Sequence, residues 1–156
     1  MTYREQFTDS EWQTLQFAPF WAFIQIAGSD GSIDEKETAA FHKELVTDAP
    51  IYKSPLVREV FLSIGPSFRL ILDAFRADQR KVFDGLRDTA TALMKIQTDQ
   101  ANMFKFAVMG IGKEVANASG GFMGGKISDK EKEAWALVAI ALGFDMKESQ
   151  AALARA

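Results

Sequence analysis

A chain of 156 residues is long enough to bury a real core as one domain, and a hydrophobic share of 47% supplies one. With 18 basic against 21 acidic side chains the net charge is only -3, which argues against intrinsic disorder and against a global field for nucleic acid. Cysteine is absent, which excludes disulfides, thiolate metal sites and a cysteine nucleophile.

The first residues, Met1 to Gln6, carry no apolar signal core, so no export is expected and the cytoplasm is the expected location. A long helix is predicted over about residues 9 to 28. Thr8 and Glu11 form a capping pair at its entry, and apolar side chains lie on nearly every face, as in a helix at the centre of a bundle. From Trp12 to Ser29 there is no charge, a length close to a membrane span. Gln13, Thr14, Gln16, Gln25 and Pro19 would each need a partner in hydrocarbon, so the expectation is a helix enclosed by protein and no span, leaving room for peripheral association. Pro19 removes one helical hydrogen bond and crowds the carbonyl four residues earlier, which predicts a kink or a break.

An amphipathic helix follows over about 34 to 47, with Phe41 and Leu45 inward and Lys36 and Lys43 outward, capped by Asp34 with Glu37. Asp48 to Lys53, with Pro50, reads as a loop. Ser54-Pro55 opens a short helix over about 55 to 64 that ends at Gly65-Pro66. Phe68, Leu72, Phe75, Val82, Phe83, Leu86, Leu93 and Ile96 then recur at helical spacing, in two helices or one bent near Asp78. Over about 99 to 118, the residues Met103, Phe106, Ala107, Gly110 and Val115 predict a small-residue face for close helix approach. Gly120 to Gly125 breaks the pattern. A helix over about 128 to 142, capped by Ser128 with Glu131, stops at Gly143 in a left-handed cap, and a last one begins at Asp145 with Glu148. No strand pattern occurs. The expected fold is all-α, one domain over residues 1 to 156: a bundle of about seven helices with two related helix-turn-helix halves.

Those halves rest on a phrase that occurs twice: Asp30-Gly31-Ser32-Ile33-Asp34-Glu35-Lys36-Glu37, and Gly124-Gly125-Lys126-Ile127-Ser128-Asp129-Lys130-Glu131. The copies share a glycine, an isoleucine, a lysine and a glutamate in register. The first reproduces the second half of a calcium-binding loop, with an acidic residue, a turn glycine, a core isoleucine and a terminal glutamate. The two earlier ligand positions fall on Ile26 and Gly28, which offer no side-chain oxygen. Asp30, Asp34, Glu35 and Glu37 could gather round a cation, but a capping box explains Asp34 and Glu37 with fewer assumptions.

Other candidates are weaker. Gly120 to Lys126 has the spacing of a phosphate-binding loop, but Ile127 stands where a hydroxyl should hold magnesium and no strand precedes it. His42, the one histidine, reads as a partly exposed helix residue. Arg76, Arg80 and Lys81 are interspersed with Asp73, Asp78 and Asp84 and read as a solvated face.

The Asp30 to Glu37 phrase between helices, with Lys126 to Glu131 leading to Ile140-Ala141-Leu142-Gly143-Phe144, resembles the TerB-like family, which includes tellurite-resistance proteins and the amino-terminal domain of a DnaJ-type membrane co-chaperone. The resemblance implies an all-helical bundle with two related halves, acidic residues able to bind metal near each helix entry, and a part in bacterial stress response through protein contacts. By resemblance, Asp30, Asp34 and Glu37 carry over to the first metal site, for calcium or magnesium, and Asp129 with Glu131 to a remnant second; Gly124 departs from the acidic pattern. The expected function is a non-enzymatic interaction or metal-responsive module with an unnamed protein partner. A metal-dependent hydrolase using the same carboxylates is the alternative, and a carrier of lipid or a small apolar ligand, suggested by the abundance of Phe and Met, is a third.

Overall fold

Side-chain caps set the starts of the early helices, as expected. The Thr8 backbone N–H donates to Glu11 Oε2 at 2.8 Å while Glu11 N–H donates to Thr8 Oγ1 at 3.1 Å. Ser54 Oγ accepts from Val57 N–H at 3.3 Å, with Pro55 in the first turn, where the missing N–H costs nothing. The structure, a computed structural model, describes residues 2–27, 33–47, 52–118 and 129–144, and the side chains of Ala118, Lys130 and Glu131 lie outside that description. The glycine-rich stretch, the Ser128 and Asp145 caps and the last predicted helix lie outside it too.

The fold is all-α, with no strand among the described residues. In chain order the helices are α1 (Asp9–Ala27), α2 (Glu35–His42), α3 (Pro55–Ile64), α4 (Phe68–Ala77), α5 (Val82–Leu93), α6 (Thr98–Ala118) and α7 (Asp129–Ala141). A π-helical turn, Lys43–Thr47, extends α2 and buries Leu45. Gly65–Ser67 forms a 3-10 turn that passes α3 directly into α4. The apolar series from Phe68 to Ile96 resolves into two helices, with Asp78 closing the first in extended backbone. No described helix is long and apolar enough to cross a membrane.

Helix α1 runs through the centre. Twelve of its side chains are buried, including the unbroken run from Phe17 to Ile24. Of the kink or break expected at Pro19, the break does not occur: α1 continues through the proline. An interior proline costs about 3 kcal/mol, whereas fully burying Phe20, Trp21 and Phe23 returns about 1.5–3 kcal/mol each. Their rings join others from α2 and α4: Phe20 stands 4.7 Å from Phe41 and 5.1 Å from Phe75, and Phe23 meets Phe41 edge-on at 5.2 Å.

Two glycines let other helices reach α1. A Cβ at Gly85 on α5 would lie 2.3 Å from the Trp21 ring. A Cβ at Gly112 on α6 would lie 3.2 Å from Phe23 N and 3.3 Å from the Ala22 carbonyl carbon. This corrects the small-residue face expected on α6. Only Val115 of that set is fully buried; Met103 is 47% exposed and a Cβ at Gly110 would meet nothing within 4 Å. The stripe that packs inward is instead Phe104, Val108, Ile111, Gly112 and Val115.

Arg80 pins the α4–α5 junction over α1. Its guanidinium lies 4.7 Å above the Trp21 ring and donates to Thr14 Oγ1 at 2.9 Å, to Asp78 Oδ2 at 3.0 Å and to Asp88 Oδ2 at 3.2 Å. Of the basic group read as a solvated face, Arg80 is therefore a partly buried clasp. Burial pushes the Asp78 carboxyl up, but the hydrogen bonds and charge of Arg80 outweigh it and hold the group below its ordinary value. At the other end of the chain α7 stops as expected. Gly143 takes φ +91°, Phe144 N–H donates to Ala139 O at 2.9 Å and Gly143 N–H to Ile140 O at 3.0 Å, which is the Schellman arrangement.

Gly85→Ala should lower the unfolding free energy by about 3 kcal/mol or more in urea titration, since the methyl group overlaps a buried indole. Gly110→Ala, into open space on a helix, should instead raise it by up to about 1 kcal/mol. The Asp78 carboxyl has a depressed folded-state pKa, so its contribution is complete above the unfolded value of about 3.9 and is lost as pH falls through the lower folded value. The stability gap between wild type and Asp78→Asn should therefore close in urea titrations taken from about pH 5 down to about pH 2.

Candidate functional site

The acidic turn singled out in the sequence leads into α2, and its described part is a helix entry closed in both directions. Asp34 N–H donates to Glu37 Oε1 at 3.0 Å, and Glu37 N–H donates to Asp34 Oδ1 at 2.8 Å. Thr38 Oγ1 adds a bond to Asp34 O at 2.7 Å. Ile33, 6% exposed, anchors the turn in the core. Asp34 and Glu35 face water, and both benefit from the positive end of the helix dipole.

Helix α4 supplies the opposite wall. Arg76 Nη2 donates to the Ile33 carbonyl at 3.1 Å, across 43 positions of sequence, and Arg76 also lies 3.6 Å from Asp73. Between the helices lies a cavity of about 730 Å³ lined by Asp34, Glu35, Thr38, His42, Phe68, Arg69 and Arg76 among others. The His42 ring meets Phe68 edge-on at 5.5 Å. Two carboxylates from α2 thus face two guanidinium groups from α4, so the cavity is charged but close to neutral.

The predicted metal residues separate as follows. Asp34 and Glu37 come together, each with one oxygen committed to the cap. Asp30 lies outside the described residues. Asp129 is exposed at the start of α7, and the Glu131 side chain lies outside the description. Among the described residues no group of three or more carboxylate or histidine side chains could hold a metal ion. Calcium takes about six to eight oxygens and magnesium six, so Asp34 and Glu37 do not by themselves fit a cation.

The wall from α4 was not foreseen. Arg69 and Phe68 stood in an apolar periodic run, and Arg76 in a mixed-charge one, and neither pattern points to a partner 43 residues away. The buried Ile33 at the helix entry is the one local hint that another element must pack there, without saying which.

Fold and cavity together define an all-α protein with a charged inter-helix recess. No family model matches the chain, and no solved structure does. The chain is similar to the uncharacterized protein ORF11' of Methanothermobacter thermautotrophicus, 28% identical over 136 residues that span 86% of this chain and 87% of that protein.

Removing the cap should cost measurable stability. Asp34→Ala is expected to lower the unfolding free energy by about 0.5–2 kcal/mol, while Glu35→Gln, outside the reciprocal pair, should stay within about 0.5 kcal/mol of wild type; urea denaturation of both variants checks this.

Proposed function

We propose that this chain is a TerB-like, stress-associated, non-enzymatic interaction module whose Asp30 to Glu37 turn responds to a divalent cation. The observation that carries the reading is the exposed, carboxylate-rich entry of α2, held in place by its own capping box and by Arg76. A capped acidic helix entry, Asp34 to Glu37, beside two arginines suits recognition of a charged protein surface, because its reciprocal hydrogen bonds are formed before a partner arrives.

A partial likeness in the surroundings of the two helices that follow the repeated phrase supports the same reading. Both α2 and α7 lie against α1 and α6: Phe41 of α2 packs on Phe20 and Phe23 of α1, and α7 contacts both helices. Cation binding rests on Asp30 joining Asp34 and Glu37. With so few oxygens from the protein, water would complete the shell and affinity would be weak.

Calorimetric titration of the full chain with calcium, magnesium and zinc tests the cation half. Wild type should bind calcium or magnesium weakly and Asp30→Ala should not; no heat at millimolar metal would leave only the protein-interaction half. Turnover of phosphoester or amide substrates on addition of calcium or magnesium would replace the whole reading with the hydrolase alternative.

A further inference from the structure

The α6 stripe that is only partly buried lines a groove, with Phe106 resting on Phe144 at 4.9 Å between ring centroids. Met103, Phe106, Ala107 and Gly110 share this groove of about 550 Å³ with Tyr52 and Val57, and Trp135 of α7 also lines it. That volume falls within the range of about 300–1,000 Å³ typical of small-ligand sites. The space is unfilled at its glycine, since a Cβ at Gly110 would touch nothing within 4 Å. The charged groups on its lining are Lys53, Lys113 and Glu114, two ammonium groups against one carboxylate.

Trp135 adds an independent observation. It is 5% exposed, and its Nε1–H is the one buried side-chain nitrogen or oxygen among the described residues without a hydrogen-bond partner. A buried donor in that state costs about 1–3 kcal/mol, which an incoming acceptor would recover. The nitrogen itself is covered, so meeting it requires the indole to turn toward the groove. Lys113 Nζ lies 5.8 Å from the centroid of the same ring, which brings a positive charge to the indole end.

We propose that this groove binds a medium-chain carboxylate. Its aliphatic chain lies along Met103, Phe106, Ala107 and Gly110, and its carboxylate sits near Lys113 and Trp135. The stripe from Met103 to Lys113 is about 15 Å long, which suits a chain of about ten carbons. Methionine, unbranched and polarizable, is well matched to a flexible chain. The proposal shares no residue with the Asp30 to Glu37 turn, so it stands or falls separately from the cation reading.

The test is calorimetric titration of the full chain with sodium decanoate, sodium hexanoate and decyltrimethylammonium. Decanoate should bind, with affinity falling about fourfold for each CH₂ removed, and the cationic surfactant should bind at least tenfold more weakly than decanoate. Gly110→Leu should lower decanoate affinity at least tenfold without lowering the unfolding midpoint. Should that variant fail to fold, Met103→Glu, at a position 47% exposed, places a carboxylate in the path of the chain and should produce the same loss. Absence of decanoate binding at millimolar concentration would overturn the proposal. So would equal binding of the cationic surfactant, or wild-type affinity in a folded Gly110→Leu or Met103→Glu variant.

Discussion

The structure depends on enclosing a helix that has no face for water. Along the middle of α1, from Phe17 to Ile24, every side chain is buried, so neighbours must approach from all directions. Bulky side chains on both partners would hold them apart. Gly85 and Gly112 resolve this by removing the Cβ where α5 meets the Trp21 ring and where α6 meets the α1 backbone. A mid-helix glycine forfeits about 1 kcal/mol of helix propensity, and burying the Trp21 ring against Gly85 is worth about 1.5–3 kcal/mol. The same enclosure explains why Pro19 is tolerated, since packing on all sides holds the helix through the lost hydrogen bond.

Polar groups near this core act mainly as fasteners. Arg80 bonds to groups from three places in the chain while covering Trp21, and the carboxylates around it keep the cation satisfied at partial burial. Glu59 does similar work at the amino terminus, where its carboxylate accepts from the backbone N–H groups of Tyr3 and Arg4 at 3.0 and 2.8 Å. Arg76 ties the α2 entry to α4 in the same manner. The described entry of α2 is thereby held by one long-range donor together with its own capping box and the buried Ile33.

Local signals were legible and long-range ones were not. Capping pairs at Thr8 and Asp34, the Ser54-Pro55 entry, the terminating glycine at 143 and the all-α class each follow from residues within a few positions of one another. The centrality of α1 was legible as well, because an apolar helix without a polar face can only be buried. Which side of α6 faces inward was misread: Met103, Ala107 and Gly110 and the buried Phe104, Val108 and Gly112 have nearly equal claims by periodicity, and only the shape of α1 decides between them. Gly85 gave no warning, since an isolated glycine in a helical run does not reveal the indole it must admit. For the candidate site, the α2 side could be read and the α4 side could not, because Arg69 and Arg76 belong to a pattern whose spatial neighbour is far off in sequence.

The central place of α1 also bears on how the protein is made. Its main coverings, α5 and α6, come later in the chain, and about 90 residues separate the end of α1 from the end of α6. At a ribosomal rate of about 5–20 residues per second, the aromatic-rich stretch of α1, uncharged from Trp12 onward, spends roughly 5–18 seconds as nascent chain before its shelter has been translated. Production of the protein is thus exposed to self-association at one early stage.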